Sequence, residues 1–177
     1  MRVLGVDPGV ATMGIAVVER SATGYVPIMV GAIRTPSGAS QAQRLGCLRA
    51  ELLDVIDRHQ PEVMVVERLF FNANVRTAMS VGQASGVALA CAAEAALEVF
   101  DYTPPEVKQS VVGVGNASKR QVQVMVSSLL RLAKPPEPPD AADACALAIC
   151  HINRSRFTAA VRAASETGPL SAGSGAG

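Results

Sequence analysis

Two short apolar runs, each ending directly on an acidic residue, most constrain what this chain can fold into. The first run is Val3-Leu4-Gly5-Val6, followed by Asp7-Pro8-Gly9, and the second is Val63-Met64-Val65-Val66, followed by Glu67. Short runs of this kind, rich in valine and bounded by turn signals, are typical of buried central strands. A carboxylate at the end of such a strand is costly to bury unless a cation compensates its charge.

A second pair of acids opens the last predicted helix, which is rich in alanine and ends near Arg156 or a little beyond. Asp140 and Asp143 are three residues apart, so they share one face of its first turn. Each acid also has an ordinary explanation: helix capping for this pair, turn chemistry for Asp7, and an ion pair with Arg68 or another base for Glu67. One metal site accounts for all four together. Carboxylates without a His or Cys cluster favour a hard ion, Mg²⁺.

The order of predicted elements favours an α/β fold with a mixed five-stranded sheet. Three strands joined by short turns precede a helix from about Ser40 to Arg58, and a strand then runs from Glu62 to Glu67. A long helix from about Asn74 to Leu97, a fifth strand and three more helices follow. We predict three antiparallel strands, then two parallel strands, with helices on both faces. Parallel first and fourth strands would bring Asp7 and Glu67 together at their carboxyl ends.

Length and composition predict one domain over residues 1–158 and a flexible tail over residues 159–177. The chain has 177 residues, of which 49% are hydrophobic, and its last residues are mostly Gly, Ser and Ala. No apolar run approaches the roughly 20 residues needed to cross a bilayer, and the first residues lack a signal-peptide pattern. We therefore expect a cytoplasmic protein.

The net charge of +1 conceals an excess of basic residues outside the predicted metal site. When the four acids are set aside, 11 acidic residues remain against 16 Lys and Arg residues. A metal-loaded protein would therefore carry about five excess positive charges, which modestly favours a polyanionic partner.

The four carboxylates lead to a specific catalytic hypothesis, metal-assisted hydrolysis of a phosphodiester bond. Two Mg²⁺ ions about 3.5–4 Å apart would flank the scissile phosphate, one activating water and the other stabilising the leaving oxygen. In this hypothesis Asp7 bridges the ions, Glu67 holds the ion on the attacking side, and Asp140 and Asp143 hold the other. Mn²⁺ is expected to substitute.

Four further residues near the predicted site are candidates for DNA binding. Phe70 and Phe71 follow Glu67 in a polar loop, although the chain has only six aromatic residues. Either both pack into the core, or one stacks on an unpaired base. Lys108 and Lys119 lie near glycine-rich turns and either hold phosphates or are ordinary solvated lysines.

The chain resembles the RuvC-type Holliday-junction resolvases, which have the RNase H-like fold of retroviral integrases. The resemblance extends from Val3 to about Asn153. It rests on ordered motifs: Gly5-Val6-Asp7-Pro8-Gly9, Val66-Glu67 followed by Phe70, Gly82-Gln83-Ala84-Ser85-Gly86-Val87, Val107-Lys108-Gln109-Ser110-Val111-Val112-Gly113, Lys119-Arg120-Gln121-Val122 and Asp140-Ala141-Ala142-Asp143-Ala144.

The resemblance implies a homodimer that nicks opposing strands of a four-way DNA junction symmetrically, in recombination and repair. It implies Mg²⁺ or Mn²⁺ at the four carboxylates and cooperation with the RuvA–RuvB branch-migration complex. It makes Phe70 the base-stacking residue and gives Lys108 and Lys119 contacts to DNA. We also predict DNA contacts for Phe71 and Arg76, on the same stretch of chain as Phe70.

The long helix after the Phe70 loop is the predicted dimer interface. A junction has near two-fold symmetry, so an isologous dimer would present two equivalent sites to it. Met79, Gly82 and Gly86 lie along this helix, and the two glycines would allow close approach of a second backbone.

Three other functions are compatible with parts of the pattern. A ribonuclease of the RNase H type would share the chemistry but cut an RNA–DNA hybrid. An actin-like sugar kinase or ATPase also carries Asp-x-Gly after its first strand, but needs a second similar half that this chain lacks. A junction-binding module without catalysis would not depend on Asp7.

Overall fold

The computed structural model describes residues 1–68 and 75–166. In this part of the chain, strands come first and helices dominate the second half. The elements are β1 (Arg2–Asp7), β2 (Thr12–Ser21), β3 (Gly24–Arg34), α1 (Gln41–His59), β4 (Val63–Glu67), α2 (Val75–Glu94), β5 (Glu98–Tyr102), α3 (Pro104–Val112), α4 (Lys119–Leu129) and α5 (Pro139–Glu166).

The strands form one five-stranded sheet in the order β3-β2-β1-β4-β5. β2 is antiparallel to both β1 and β3, whereas β4 is parallel to both β1 and β5. The predicted arrangement of three antiparallel and two parallel strands is confirmed, and β1 and β4 are the expected parallel neighbours.

Helices cover both faces of the sheet, as predicted, and alternate residues of each strand face opposite layers. Val3 and Val65 pack with α3, α4 and α5 in one core cluster. Leu4, Val6 and Met64 point the other way and pack with α1 and α2. This period of two follows from the pleat of a β-strand. It also determines which helices the acids at the strand ends face.

Three helices begin at capping boxes, which fix where the chain turns from loop to helix. At α3, the hydroxyl of Thr103 accepts a hydrogen bond from the backbone N–H of Glu106 at 3.3 Å, and the Glu106 carboxylate accepts one from the backbone N–H of Thr103 at 2.9 Å. Ser40 and Ser118 cap α1 and α4 in the same way. A Ser or Thr followed three residues later by Glu or Gln is the sequence signature of such a capping box.

The predicted ends of two helices differ from the structure. α2 ends at Glu94 rather than Leu97, because Ala96 adopts a left-handed conformation with a φ of 53° that breaks the helix. α5 extends beyond Arg156 to Glu166, through a stretch rich in Ala and free of Gly and Pro. Residues 167–177 lie outside the described residues, so the division into a domain and a tail stays a prediction. Within the described ranges, no helix is both long and apolar enough to span a membrane.

Candidate active site

The first two acids lie side by side at the carboxyl ends of the two central parallel strands. Asp7 is the last residue of β1 and Glu67 is the last residue of β4. The register between these strands pairs Val3 with Val63 and Val6 with Val66. Its next step places Asp7 beside Glu67. Both acids have the same parity as Val3 and Val65, so their side chains face the layer that contains α5.

The helix α5 brings the other two acids to this edge of the sheet. Asp140 lies in its first turn, and its backbone approaches β2 at Gly14, the residue that pairs with Asp7 between β1 and β2. Asp143 follows three residues later, with its side chain about one quarter exposed. The structure therefore brings together the four acids that the sequence singled out.

A cleft of about 370 Å³ opens at this point, between the strand ends and the starts of three helices. Its polar lining consists of Asp7, Glu67, Asp143, Lys108 and Lys119. Apolar residues of α3, α4 and α5 form the rest of its wall, and sequence reasoning did not identify them as part of the site: Pro104, Val107, Val122, Ala146 and Leu147.

Lys119 forms an ion pair with one of these acids. Its ammonium group lies 2.7 Å from a carboxylate oxygen of Asp143. This hydrogen bond raises the pKa of Lys119, and the nearby charges of Asp7 and Asp140 contribute to the same shift. Lys119 is the first residue of α4, so the Ser118 cap also fixes where its side chain begins.

The remaining negative charge in the cleft is poorly compensated. Burial raises the pKa of Asp7 to about 7, and repulsion from Glu67, Asp143 and Asp140 adds to the shift, while Lys119 opposes it. Burial also raises the pKa of Glu67, with repulsion from Asp143. Lys119 and Lys108 act in the opposite direction on that pKa. Such mutual repulsion indicates a site that favours an added cation.

The donor set of this cleft fits a hard divalent ion, although the side chains are not arranged around one point. In the described ranges 1–68 and 75–166, no three His, Cys, Asp or Glu side chains stand together as ligands of one ion. Asp143 instead faces the ammonium group of Lys119. Carboxylate oxygens nevertheless supply the ligand type that Mg²⁺ and Mn²⁺ prefer, and their repulsion is what such an ion would relieve.

Of the ordinary explanations of Glu67, the ion pair with Arg68 is wrong. Arg68 instead forms two hydrogen bonds with Asp101 of β5, at 2.5 and 3.0 Å. The guanidinium group is therefore engaged with Asp101, and Glu67 faces the cleft. No local sequence pattern predicts this pairing, because it depends on β5 lying next to β4.

Of the other predicted site residues, some line the cleft and some lie outside the described residues. Lys108 and Lys119 line the cleft, as described above. Phe70 and Phe71 lie outside the described residues, and Arg76 belongs to the first turn of α2, where only its backbone is described. On the same helix Met79 is 63% exposed, and a Cβ added at Gly82 or Gly86 would meet nothing within 4 Å.

Comparison with known proteins agrees with the predicted family and fold. The model of the family "Crossover junction endodeoxyribonuclease RuvC" matches residues 3–151. Relatives with that description include one from Chloroflexus aggregans, which is 53% identical over 151 residues, and one from Pelotomaculum thermopropionicum, which is 50% identical over 151 residues. In both cases the alignment covers 85% of this chain and 92% of the relative.

A solved structure of Thermus thermophilus RuvC in complex with a Holliday junction substrate is also similar. It superimposes with a TM-score of 0.84 at 35% sequence identity, covering 89% of this chain and 96% of that one. The chain belongs to the RuvC family of crossover junction endodeoxyribonucleases. The predicted family resemblance is therefore confirmed.

Proposed function

We propose that this protein is a metal-dependent endonuclease that resolves four-way Holliday junctions by paired symmetric nicks, in recombination and DNA repair. One observation carries the proposal: Asp7, Glu67 and Asp143 share a cleft at the carboxyl ends of the central parallel strands, beside Asp140 and with two lysines on its rim. Membership of a nuclease family supports the same reaction.

The four carboxylates are the proposed catalytic and metal-binding residues, with two Mg²⁺ ions in each active site and Mn²⁺ able to substitute. Such ions supply Lewis acidity at the scissile phosphate and lower the pKa of bound water. The support from this chain is the donor set, whose burial and mutual repulsion raise the pKa values of Asp7 and Glu67. The assignment of individual acids to each ion follows the hypothesis made from the sequence.

The basic residues of the cleft are proposed to hold the DNA backbone. Lys119 and Lys108 lie on the α3 and α4 side of the cleft, across from the strand ends. Their ammonium groups can neutralise phosphates on either side of the cut. Phe70 is proposed to stack on an unpaired base, with Phe71 and Arg76 contacting DNA nearby. This part of the proposal rests on the sequence pattern.

The protein is also proposed to act as a homodimer through the exposed face of α2. Val75 and Met79 are 76% and 63% exposed, and Gly82 and Gly86 add open positions along the same helix. A two-fold dimer built on this face would present two sites to a two-fold junction. Cooperation with the RuvA–RuvB complex in the cytoplasm is proposed from the family resemblance alone.

The test of the reaction compares cleavage of a synthetic four-way junction, a linear duplex and an RNA–DNA hybrid, with and without Mg²⁺. We expect paired nicks at symmetric positions in the junction, and a rate lowered by more than about 100-fold in Asp7→Asn with binding retained. Asp57→Asn, an exposed acid on α1, is the matched control. Preferential cutting of the hybrid, or nicking that does not need a divalent ion, would refute the proposal.

The test of the dimer is sedimentation of a variant with a charge on the exposed face of α2. Met79→Asp is expected to shift the protein from dimer to monomer, because burying an unpaired carboxylate in an apolar interface is unfavourable. Val124→Asp is the control, since Val124 is also exposed, at 57%, but lies on α4. Equal behaviour of the two variants would place the interface elsewhere.

A further inference from the structure

Two glycines of the sheet lie directly beneath the start of α5. A Cβ built on Gly5 of β1 would stand 2.0 Å from the carbonyl oxygen of Ala144. One built on Gly14 of β2 would stand 2.0 Å from the carbonyl oxygen of Asp140. Real Cβ atoms essentially never come closer than 3.0 Å to such atoms. At these two positions the backbone of α5 therefore rests on the sheet without an intervening side chain.

The two contacts bracket the part of α5 that carries Asp140 and Asp143. Asp140 and Ala144 are one helical turn apart, and Asp143 lies between them. An aspartate has one methylene between its backbone and its carboxylate, so the position of the backbone sets how far the carboxylate reaches. Gly14 also pairs with Asp7 across the β1–β2 ladder, so the close contact lies beside the acid that Asp140 and Asp143 must approach.

We propose that Gly5 and Gly14 are positioning residues for the cleavage reaction, because they set the distance of Asp140 and Asp143 from Asp7. This inference rests on the proposed function. An alanine at position 14 has to move the start of α5 by about 1 Å to reach the 3.0 Å limit, and by about 1.4 Å to reach an ordinary contact at 3.4 Å. A displacement of about 1 Å in a catalytic group can lower a rate by about 100-fold.

The experiment compares Gly14→Ala with Gly31→Ala. Gly31 lies in β3, where a Cβ would meet nothing within 4 Å, so this variant controls for the change of residue type in a strand. Three quantities are measured: the single-turnover rate of junction cleavage in Mg²⁺, the Kd for the junction in chelator, and the affinity for Mn²⁺ by calorimetry. Thermal unfolding of each variant is recorded alongside.

Gly14→Ala is expected to lower the cleavage rate by about 100-fold and the Mn²⁺ affinity by about 10-fold, with the junction Kd changed by less than about 2-fold. Gly31→Ala is expected to match the wild type in all three. A second variant carries Asp140→Glu in addition to Gly14→Ala. The longer side chain restores part of the lost reach, so we expect about 10-fold of the rate to return.

Each other outcome counts against the inference. Equal rates for Gly14→Ala and Gly31→Ala would overturn it while leaving the proposed function intact. A Gly14→Ala protein that is unfolded at the assay temperature would assign the contact to folding rather than to the site, and would also overturn it. If the wild type itself fails to cut junctions, the proposed function fails first, so the two failures are distinguishable.

Discussion

Replacing Asp7 with Asn is expected to make the protein more stable in a chelating buffer while abolishing cleavage. The pKa of Asp7 rises from 3.8 to about 7 because the side chain is largely, though not fully, buried and lies near three other acids. The native state therefore holds a proton on this group more tightly than the unfolded chain does. Above the native pKa, the ionised carboxylate lowers the free energy of unfolding.

The sign and the size of this effect follow from linkage. Asp7 favours folding most below a pH of about 4, and that advantage is lost as the pH rises through about 7. The full shift corresponds to about 4 kcal/mol, since one pKa unit is worth about 1.4 kcal/mol. Asp7 is only partly buried, and solvent screens part of the repulsion, so we expect about 2 kcal/mol at pH 8.

The assay is urea unfolding of the wild type and Asp7→Asn in EDTA, at about pH 8 and about pH 4.5. The variant is expected to be more stable at the higher pH, with a much smaller difference at the lower pH, which lies just above the ordinary pKa of 3.8. Asp57→Asn, the exposed acid used as a control above, is expected to show no such pattern. An Asp7→Asn protein that is no more stable than the wild type at pH 8 would refute the reasoning.

Three other changes test separate parts of the structure. Thr103→Ala removes the cap of α3 and should lower the free energy of unfolding by about 1 kcal/mol in urea denaturation. In an Asp143→Asn background, Lys119→Gln should reduce the salt dependence of junction binding, the slope of the logarithm of the binding constant against the logarithm of salt concentration, by about 0.9. The reduction should be smaller where Asp143 still pairs with Lys119. Arg120→Gln is the control. Burial lowers the pKa of His151 below 6.5, so acidification below that value should destabilise the wild type more than His151→Gln, as measured by thermal unfolding.

Much of the site was predictable because the acids adjoin strong local signals. Apolar runs fixed the ends of β1 and β4, and parallel pairing of neighbouring strands then brought Asp7 next to Glu67. Helical spacing likewise put Asp140 and Asp143 on one face. These predictions needed only the periods of strand and helix and the tendency of α/β sites to form at the carboxyl ends of strands.

The partners of the charged residues were not predictable in the same way. Arg68 follows Glu67 in the sequence, but successive residues of a strand point to opposite faces, and the pairing of Arg68 with Asp101 needs β5 alongside β4. Lys119 and Asp143 are also far apart in sequence and meet where α4 packs on α5. Ion pairs of this kind depend on tertiary packing, which leaves no local pattern.

The close contacts at Gly5 and Gly14 were not predictable from the local sequence either. In the sequence, Gly5 interrupts an apolar strand and so weakens the strand signal, since glycine has a low preference for strands. In the fold, the missing Cβ is what lets the backbone of α5 reach the sheet next to Asp7. A residue that lowers local strand preference therefore determines how closely two pairs of acids approach. The positions of the Asp140 and Asp143 carboxylates therefore depend on the absence of a Cβ at Gly5 and Gly14 as much as on the acids themselves.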